Sequence, residues 1–406
     1  MGTIRVENLY KIFGNKPHKA LEMLKEGHDK QSVLDATGMT VGVSNASFTI
    51  ESGEIFVIMG LSGSGKSTIV RLLNRLIEPT AGRVIVDGQD VTAMNNNDLV
   101  KFRLHNMSMV FQSFALMPHQ NVLDNAAFGL ELAGVDKEKR HQRAREALEQ
   151  VGLAGWEDQY PDQLSGGMQQ RVGLARGLAV DPEILLMDEA FSALDPLIRT
   201  EMQDELLKLQ EEQQRTIVFI SHDLDEALRI GDRIAIMEGG RVVQVGTPDE
   251  ILQNPANDYV RAFFRGVDPT NVISAGDIVR DTHPTIVVTK KGSLRAAHEI
   301  LSGSELEHGY VLDAKHRFLG IISSEGVREA IEEGRPDLTL SEVFLEDGDP
   351  VNLDESMQDI LPMVASSPWP VPVVDADGVY KGVVSKNRFL RTLHRTEEAM
   401  NGEGAA

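Results

Sequence analysis

Residues 60–67 read GLSGSGKS, matching the spacing G-x-x-x-x-G-K-S at every fixed position. The apolar run IFVIM precedes it and a helical pattern follows it. Gly60, Gly63 and Gly65, with Ser62 and Ser64 between them, let backbone N–H groups converge on phosphate oxygens. The helix start adds partial positive charge. Lys66 is a compact cation suited to the β and γ phosphates of a nucleotide. The Ser67 hydroxyl is placed to ligate Mg²⁺, and Thr68 to bond the α-phosphate. A glycine-rich turn with a solvated lysine is the competing reading, and the flanking strand and helix argue against it.

Four further features narrow the chemistry. ILLMDE (184–189) ends an apolar strand in two carboxylates, so that Asp188 would hold Mg²⁺ through water and Glu189 would polarise an attacking water as general base. In LSGGMQQR (164–171), Leu164, Ser165, Gly166, Gly167 and Met168 put a hydroxyl and close backbone N–H groups at a helix start, a second anion site. Gln112 follows the strand 107–111 and can touch Mg²⁺ or the lytic water. His222 follows the strand 217–220, where its imidazole can bond a γ-phosphate. Taken singly, these are a solvated strand end, a plain N-cap, a surface glutamine and a capping histidine. Their force lies in the combination.

The elements that must carry these residues follow from hydrophobic patterning. Residues 55–60, 184–187 and 217–220 are short apolar runs of the kind buried in parallel sheets. Helical patterns cover 67–76, 166–179, 198–210 and 224–230, and 242–245 adds a later strand. The first part is therefore an α/β domain with a mainly parallel core sheet.

The 406 residues include 40 Lys+Arg and 62 Asp+Glu, a net charge of −22 that argues against a chain binding nucleic acid over its whole surface. Cysteine is absent, which excludes disulfides, thiolate catalysis and Cys-ligated zinc. No uninterrupted apolar stretch is long enough to span a bilayer, and the N-terminus lacks the apolar core of a signal peptide. The expectation is a cytoplasmic chain whose membrane role runs through a partner. A composition shift and turn near 266–269 place a boundary between 265 and 274.

Beyond it, YVLDAKHRFLGIIS (310–323) and PVVDADGVYKGVVS (372–385) repeat one pattern of strand, Asp turn, strand and helix start. Val311/Val373, Asp313/Asp375, Ala314/Ala376, Gly320/Gly382 and Ser323/Ser385 match in one register, predicting two units packed face to face. Residues 337–359 hold eight acids and no base, whereas 381–395 hold Lys381, Lys386, Arg388, Arg391 and Arg395 and no acid. On a helix over 386–395, Arg388, Arg391 and Arg395 share a face, and Phe389, Leu390 and Leu393 point to the core. Two solvated faces of opposite sign are the plain reading; attraction to an anionic surface is the sharper one.

The ordered set GLSGSGKS, Gln112, LSGGM, ILLMDE, SALD (192–195) and His222 resembles the ATPase subunit of ABC transporters. The resemblance implies ATP and Mg²⁺ as cofactors, with Ser67, Gln112 and Asp188 around the metal. It also implies a homodimer paired head to tail, in which Leu164–Met168 of one subunit closes over the other's nucleotide and Asp195 crosses the interface. Phe13 falls where that family places an aromatic on adenine; Tyr10 is the second choice, and a core aromatic is the alternative.

Residues 15–39 interrupt the usual pattern as an insert with amphipathic pieces at Leu21/Leu24 and Val33/Leu34. With FQSFALMPH (111–119) and the repeat, the chain is similar to the ATP-binding subunit of glycine betaine/proline importers ending in a tandem CBS module. That implies an ABC ATPase domain over 1–265, with a helical subdomain over about 113–180. A CBS module would follow over 274–396 (about 283–335 and 339–396), then a flexible tail at 397–406. It further implies permease partners, a substrate-binding protein reached indirectly, and a place on the inner face of the plasma membrane. Other quaternary amines such as choline or carnitine, or a soluble non-transport ABC ATPase, are the alternatives. The acid that binds ribose in nucleotide-holding CBS pairs is replaced by Gly326 and Arg388.

Overall fold

The computed structural model describes residues 2–111, 115–192, 194–265, 267–283, 285–287, 294–304, 307–332, 339–346 and 348–401, without the side chains of 212, 287, 304 and 397–401. The chain divides into two compact units, Met1–Ile251 and Leu252–Ala406.

The first unit begins with β1 (Ile4–Phe13), the helical hairpin α1 (Pro17–Lys25) and α2 (Lys30–Thr37), and β2 (Thr40–Ile50). Then come β3 (Ile55–Met59), α3 (Lys66–Leu73), β4 (Ala81–Val86), β5 (Gln89–Asp90), α4 (Asn96–Asn106) and β6 (Met107–Val110). Three helices, α5 (Val122–Leu132), α6 (Lys137–Gln150) and α7 (Gly166–Ala179), pack on one another as a helical subdomain. The chain returns through β7 (Ile184–Asp188), α8 (Pro196–Gln213), β8 (Thr216–Ile220), α9 (Leu224–Ile230), β9 (Arg233–Glu238) and β10 (Arg241–Gly246).

Two sheets result. One is antiparallel, ordered β2-β1-β4-β5; the other is ordered β10-β9-β3-β8-β7-β6 and parallel except for β10 against β9. Every residue of β3, β7 and β8 is buried, which is why these strands read as unbroken apolar runs rather than alternating ones. The sheets share a core, with Phe48 and Phe56 stacked at 5.4 Å. The helix after the phosphate loop stops at Leu73, short of the expected 76, because Arg75 takes a positive φ of 53°. Its guanidinium is held there by the carbonyls of Val91 and Met94.

The insert packs Ala20, Leu21, Leu24 and Val33 onto Tyr10, Ile12, Met39 and Val41. Val33 is buried and Leu34, about 100° further around the helix, is exposed, so this piece is amphipathic.

α10 (Pro248–Gln253) runs across the division between the units. The second unit starts earlier than the expected 265–274 boundary, because α11 (Asp258–Phe263) packs on the unit's last helix. It continues through α12 (Ala275–Ile278), β11 (Thr285–Val287), α13 (Leu294–Ser304), β12 (His308–Leu312), β13 (Phe318–Ser323) and α14 (Ser324–Glu332). A second pass gives β14 (Val351–Asn352), α15 (Met357–Ser366), β15 (Val371–Val374), β16 (Tyr380–Val384) and α16 (Lys386–Asn401).

The two three-stranded sheets, β11-β12-β13 and β14-β15-β16, each join a parallel pair to an antiparallel one. Asp313 accepts from the N–H groups of Lys315 and Arg317, and Asp375 from those of Asp377 and Val379, so the same turn occurs twice. Ser323 caps Gly326 N–H and Ser385 caps Arg388 N–H in the same way. The copies meet at these turns: Phe318 N–H donates to Gly378 O, Tyr380 N–H donates to His316 O, and Tyr310 stacks on Tyr380 at 5.6 Å.

Two expectations fail here. α16 continues to Asn401, so 397–401 is helix rather than flexible tail, and 402–406 lie outside the described residues. Leu390 is 60% exposed, because the inner stripe of the helix runs through Phe389, Leu393 and Thr396.

Candidate functional site

β3 delivers the phosphate loop and α3 closes it. The loop needs glycine where the chain turns against its neighbours. At Gly60, φ is +150° and an added Cβ would lie 2.3 Å from Met237 O; at Gly65, φ is +105° and a Cβ would meet Gly42 O at 2.3 Å. Lys66 is buried and donates to the carbonyls of Gly60 (2.7 Å) and Leu61 (3.3 Å). Burial lowers its pKa while the nearby Glu189 and Asp188 raise it, so the ammonium sits in a pocket whose counter-charges are those carboxylates.

The end of β7 faces the loop's helix. Ser67 Oγ donates to Asp188 Oδ1 at 2.8 Å, and Arg71 Nη2 reaches Asp188 Oδ2 at 3.2 Å. Arg71 carries no motif signal; it is found only by noticing that it lies one turn past Ser67 on α3. Glu189 follows with φ +49°, a left-handed conformation that costs a non-glycine residue on the order of 1 kcal/mol. Ser192 N–H and Oγ both donate to Glu189 O, fixing that turn. Glu189 Oε2 lies 3.8 Å from Nδ1 of His222, which is itself largely exposed.

Behind His222, Glu226 is buried and accepts from Gln203 and from Ser221 Oγ, and burial raises its pKa. Arg199 joins two loops: it donates to Leu194 O at 3.3 Å and to Asp223 Oδ2 at 3.2 Å.

Phe13 is 41% exposed, its ring beside Gly42, with Lys11 Nζ 5.1 Å from the ring centre. Tyr10 is buried in the insert's core, which removes it as the aromatic at the site. Ser62 and Gly63 form the exposed tip of the loop, and Ser64 Oγ is buried inside it without a hydrogen-bond partner.

The Leu164–Met168 segment is built separately. Ser165 caps α7 by accepting from Met168 N–H at 3.3 Å, and Asp195 caps α8 by accepting from Ile198 N–H at 3.1 Å. Ser165, Gly166, Gly167 and Met168 line a hollow of about 540 Å³ with Trp156, Leu194 and Asp195, and none of the phosphate-loop residues lines it. The structure thus brings Lys66, Ser67, Asp188, Glu189 and His222 together and keeps the Ser165 segment apart from them. Gln112 lies outside the described residues.

The donor set suits nucleotide and Mg²⁺. A serine hydroxyl and a carboxylate in mutual contact are hard oxygens of the type Mg²⁺ takes, and the orphaned Ser64 hydroxyl lies in the phosphate cradle. When bound, Mg²⁺ neutralises phosphate charge; orienting the phosphates and the water falls to the chain's own residues. Fold and site together define a P-loop nucleotide hydrolase with an added helical subdomain.

The sequence profile of the ABC transporter family matches residues 43–192. The glycine betaine/proline betaine transport system ATP-binding protein of Escherichia coli (strain K12) is 55% identical over 400 residues, 98% of this chain and 99% of that protein. The glycine betaine/carnitine transport ATP-binding protein of Listeria monocytogenes serotype 1/2a (strain 10403S) is 48% identical over 402 residues, 99% and 100% of the two chains. Among solved structures, a dimeric ATP-binding cassette in a post-hydrolysis state bound to ADP and Pi aligns with TM-score 0.52 and 31% identity, covering 60% of this chain and 98% of that one. This chain belongs to the ABC transporter family, as an ATP-binding and ATP-hydrolysing subunit.

Proposed function

We propose that the chain powers import of glycine betaine/proline betaine-type osmoprotectants through membrane permease subunits. The observation that carries this reading is the match to the Escherichia coli protein, which spans the 15–39 insert, the cassette and the repeated second unit alike. The name of the Listeria relative supports carnitine as a second solute. Two copies would pair head to tail, the Ser165 hollow and Asp195 of one meeting the nucleotide of the other. That arrangement accounts for a glycine-rich helix start built away from the phosphate loop it is to serve. Gln112–His119 and α5 are the proposed permease contact. Among the described residues no helix is long and apolar enough to cross a membrane.

The second unit is read as a tandem CBS module that senses ionic strength. What supports it is a cluster of like charge. Burial lowers the Arg388 pKa, and so, in order, do Arg280, Arg395 and Arg391. The Arg388 Nε is buried without a hydrogen-bond partner. An anionic leaflet would attract this cluster at low salt, and screening shortens that reach from about 30 Å at 0.01 M to about 8 Å at 0.15 M.

The test is ATPase activity of the assembled transporter in anionic liposomes, with betaine-loaded receptor and salt varied. Activity should rise with both, and the R388Q/R391Q/R395Q variant should lose inhibition at low salt. Indifference to betaine removes the solute, and unchanged salt activation in the variant removes the sensor.

A further inference from the structure

A phosphate loop turns its N–H groups inward, so its carbonyls turn outward and need donors of their own. Three outward carbonyls here are met by lysines. Lys66 takes those of Gly60 and Leu61, from within the loop. Gly63 O is taken from outside it, by Lys30 Nζ at 3.2 Å. Lys30 is the first residue of α2 and belongs to the insert.

The insert is built to present it. Leu21, Leu24 and Val33 anchor the hairpin to β1 and β2. Asp29 caps α2 by accepting from Ser32 N–H at 2.7 Å, which fixes the helix start that carries Lys30. Gly63, with φ +75°, is exposed and has open space where a Cβ would stand. Lys30 supplies a hold on that peptide and also adds a positive charge at the rim of a site for a polyanion.

We infer that Lys30 is a positioning residue for the phosphate loop, through which the insert sets the affinity for ATP. The inference rests on ATP binding at this loop and is independent of the transported solute. Substituting Lys30 removes a charged donor from one peptide and leaves Lys66, Ser67, Asp188 and Glu189 in place.

The test is steady-state ATP hydrolysis by the full-length chain, with thermal midpoints measured alongside. Lys30→Ala should raise KM for ATP about fivefold, the scale of one hydrogen bond at an exposed site, while kcat changes less than twofold. Lys30→Arg should restore the wild-type KM, and Lys30→Gln should fall between. Lys66→Ala serves as the control that abolishes nucleotide binding; a Lys66→Ala chain that still binds ATP normally would refute the loop as the site rather than the role of Lys30. An unchanged KM in Lys30→Ala, an Arg variant as impaired as the Ala variant, or equal losses in kcat and KM accompanied by a lowered midpoint would each overturn the inference.

Discussion

The two units use irregular backbone to different ends. In the first, some of the left-handed positions lie where charge must be handled: Gly60, Gly63 and Gly65 turn the loop, and Glu189 is held left-handed at the end of β7. In the second, the irregular positions come in matched pairs. Asp313 and Asp375 make equivalent turns in which His316 (φ +61°) and Gly378 (φ +75°) are both left-handed, and Ser323 and Ser385 make equivalent caps. Strain that appears once and beside titratable groups marks chemistry. Strain that appears twice in register marks the joint along which a duplicated unit was fitted to its copy.

The contrast is broken most sharply at Glu189. Glu189→Gln keeps the shape of the turn and removes the carboxylate proposed as the base, so single-turnover ATP hydrolysis should fall by about 10² to 10⁴ with ATP binding retained. Retained hydrolysis would make Glu189 a turn residue of the kind found in the second unit.

A smaller effect is expected at the paired glycines. Gly382→Ala must relieve a Cβ 2.5 Å from the backbone oxygen of Arg280 at φ +136°, whereas the nearest atoms to a Cβ in Gly320→Ala belong to the Phe344 side chain, at no strained φ. Denaturant melts should show Gly382→Ala destabilised by about 1–3 kcal/mol and Gly320→Ala by less, with ATP binding unaffected in both. Equal losses would mean that the copies are held alike.

The smallest effect concerns Glu226. Burial raises its folded pKa above 4.5, so the native state binds more protons than the unfolded chain over the interval above that value, and stability falls as pH rises through it. Glu226→Gln keeps the partners without the charge. Its melting temperature should match wild type near pH 4.5 and exceed it by about 2–4 °C toward neutral pH. A constant difference across pH would place the effect outside titration.

Much of this could be read from residue order alone. The bounds of α7 and α9 follow the hydrophobic period because Ser165 and Asp223 are strong N-caps whose signal is local. The repeat was visible because a turn needs its aspartate at one position. Contacts between distant segments were not visible: Arg71 on α3 meets Asp188 at the end of β7, and Lys30 meets Gly63 out of an insert. The early start of the second unit was hidden for a related reason, since α11 belongs with a helix far along the chain and its own composition does not say so.

Arg199 bears on kinetics. One guanidinium holds both Leu194 O and Asp223, and so joins the segment carrying Asp195 to the segment carrying His222. Coupled in this way, the two segments relax as one coordinate. Fluorescent reporters placed on either should then return the same rate constant after ATP is mixed in, with the two traces separating once Arg199 is replaced by alanine.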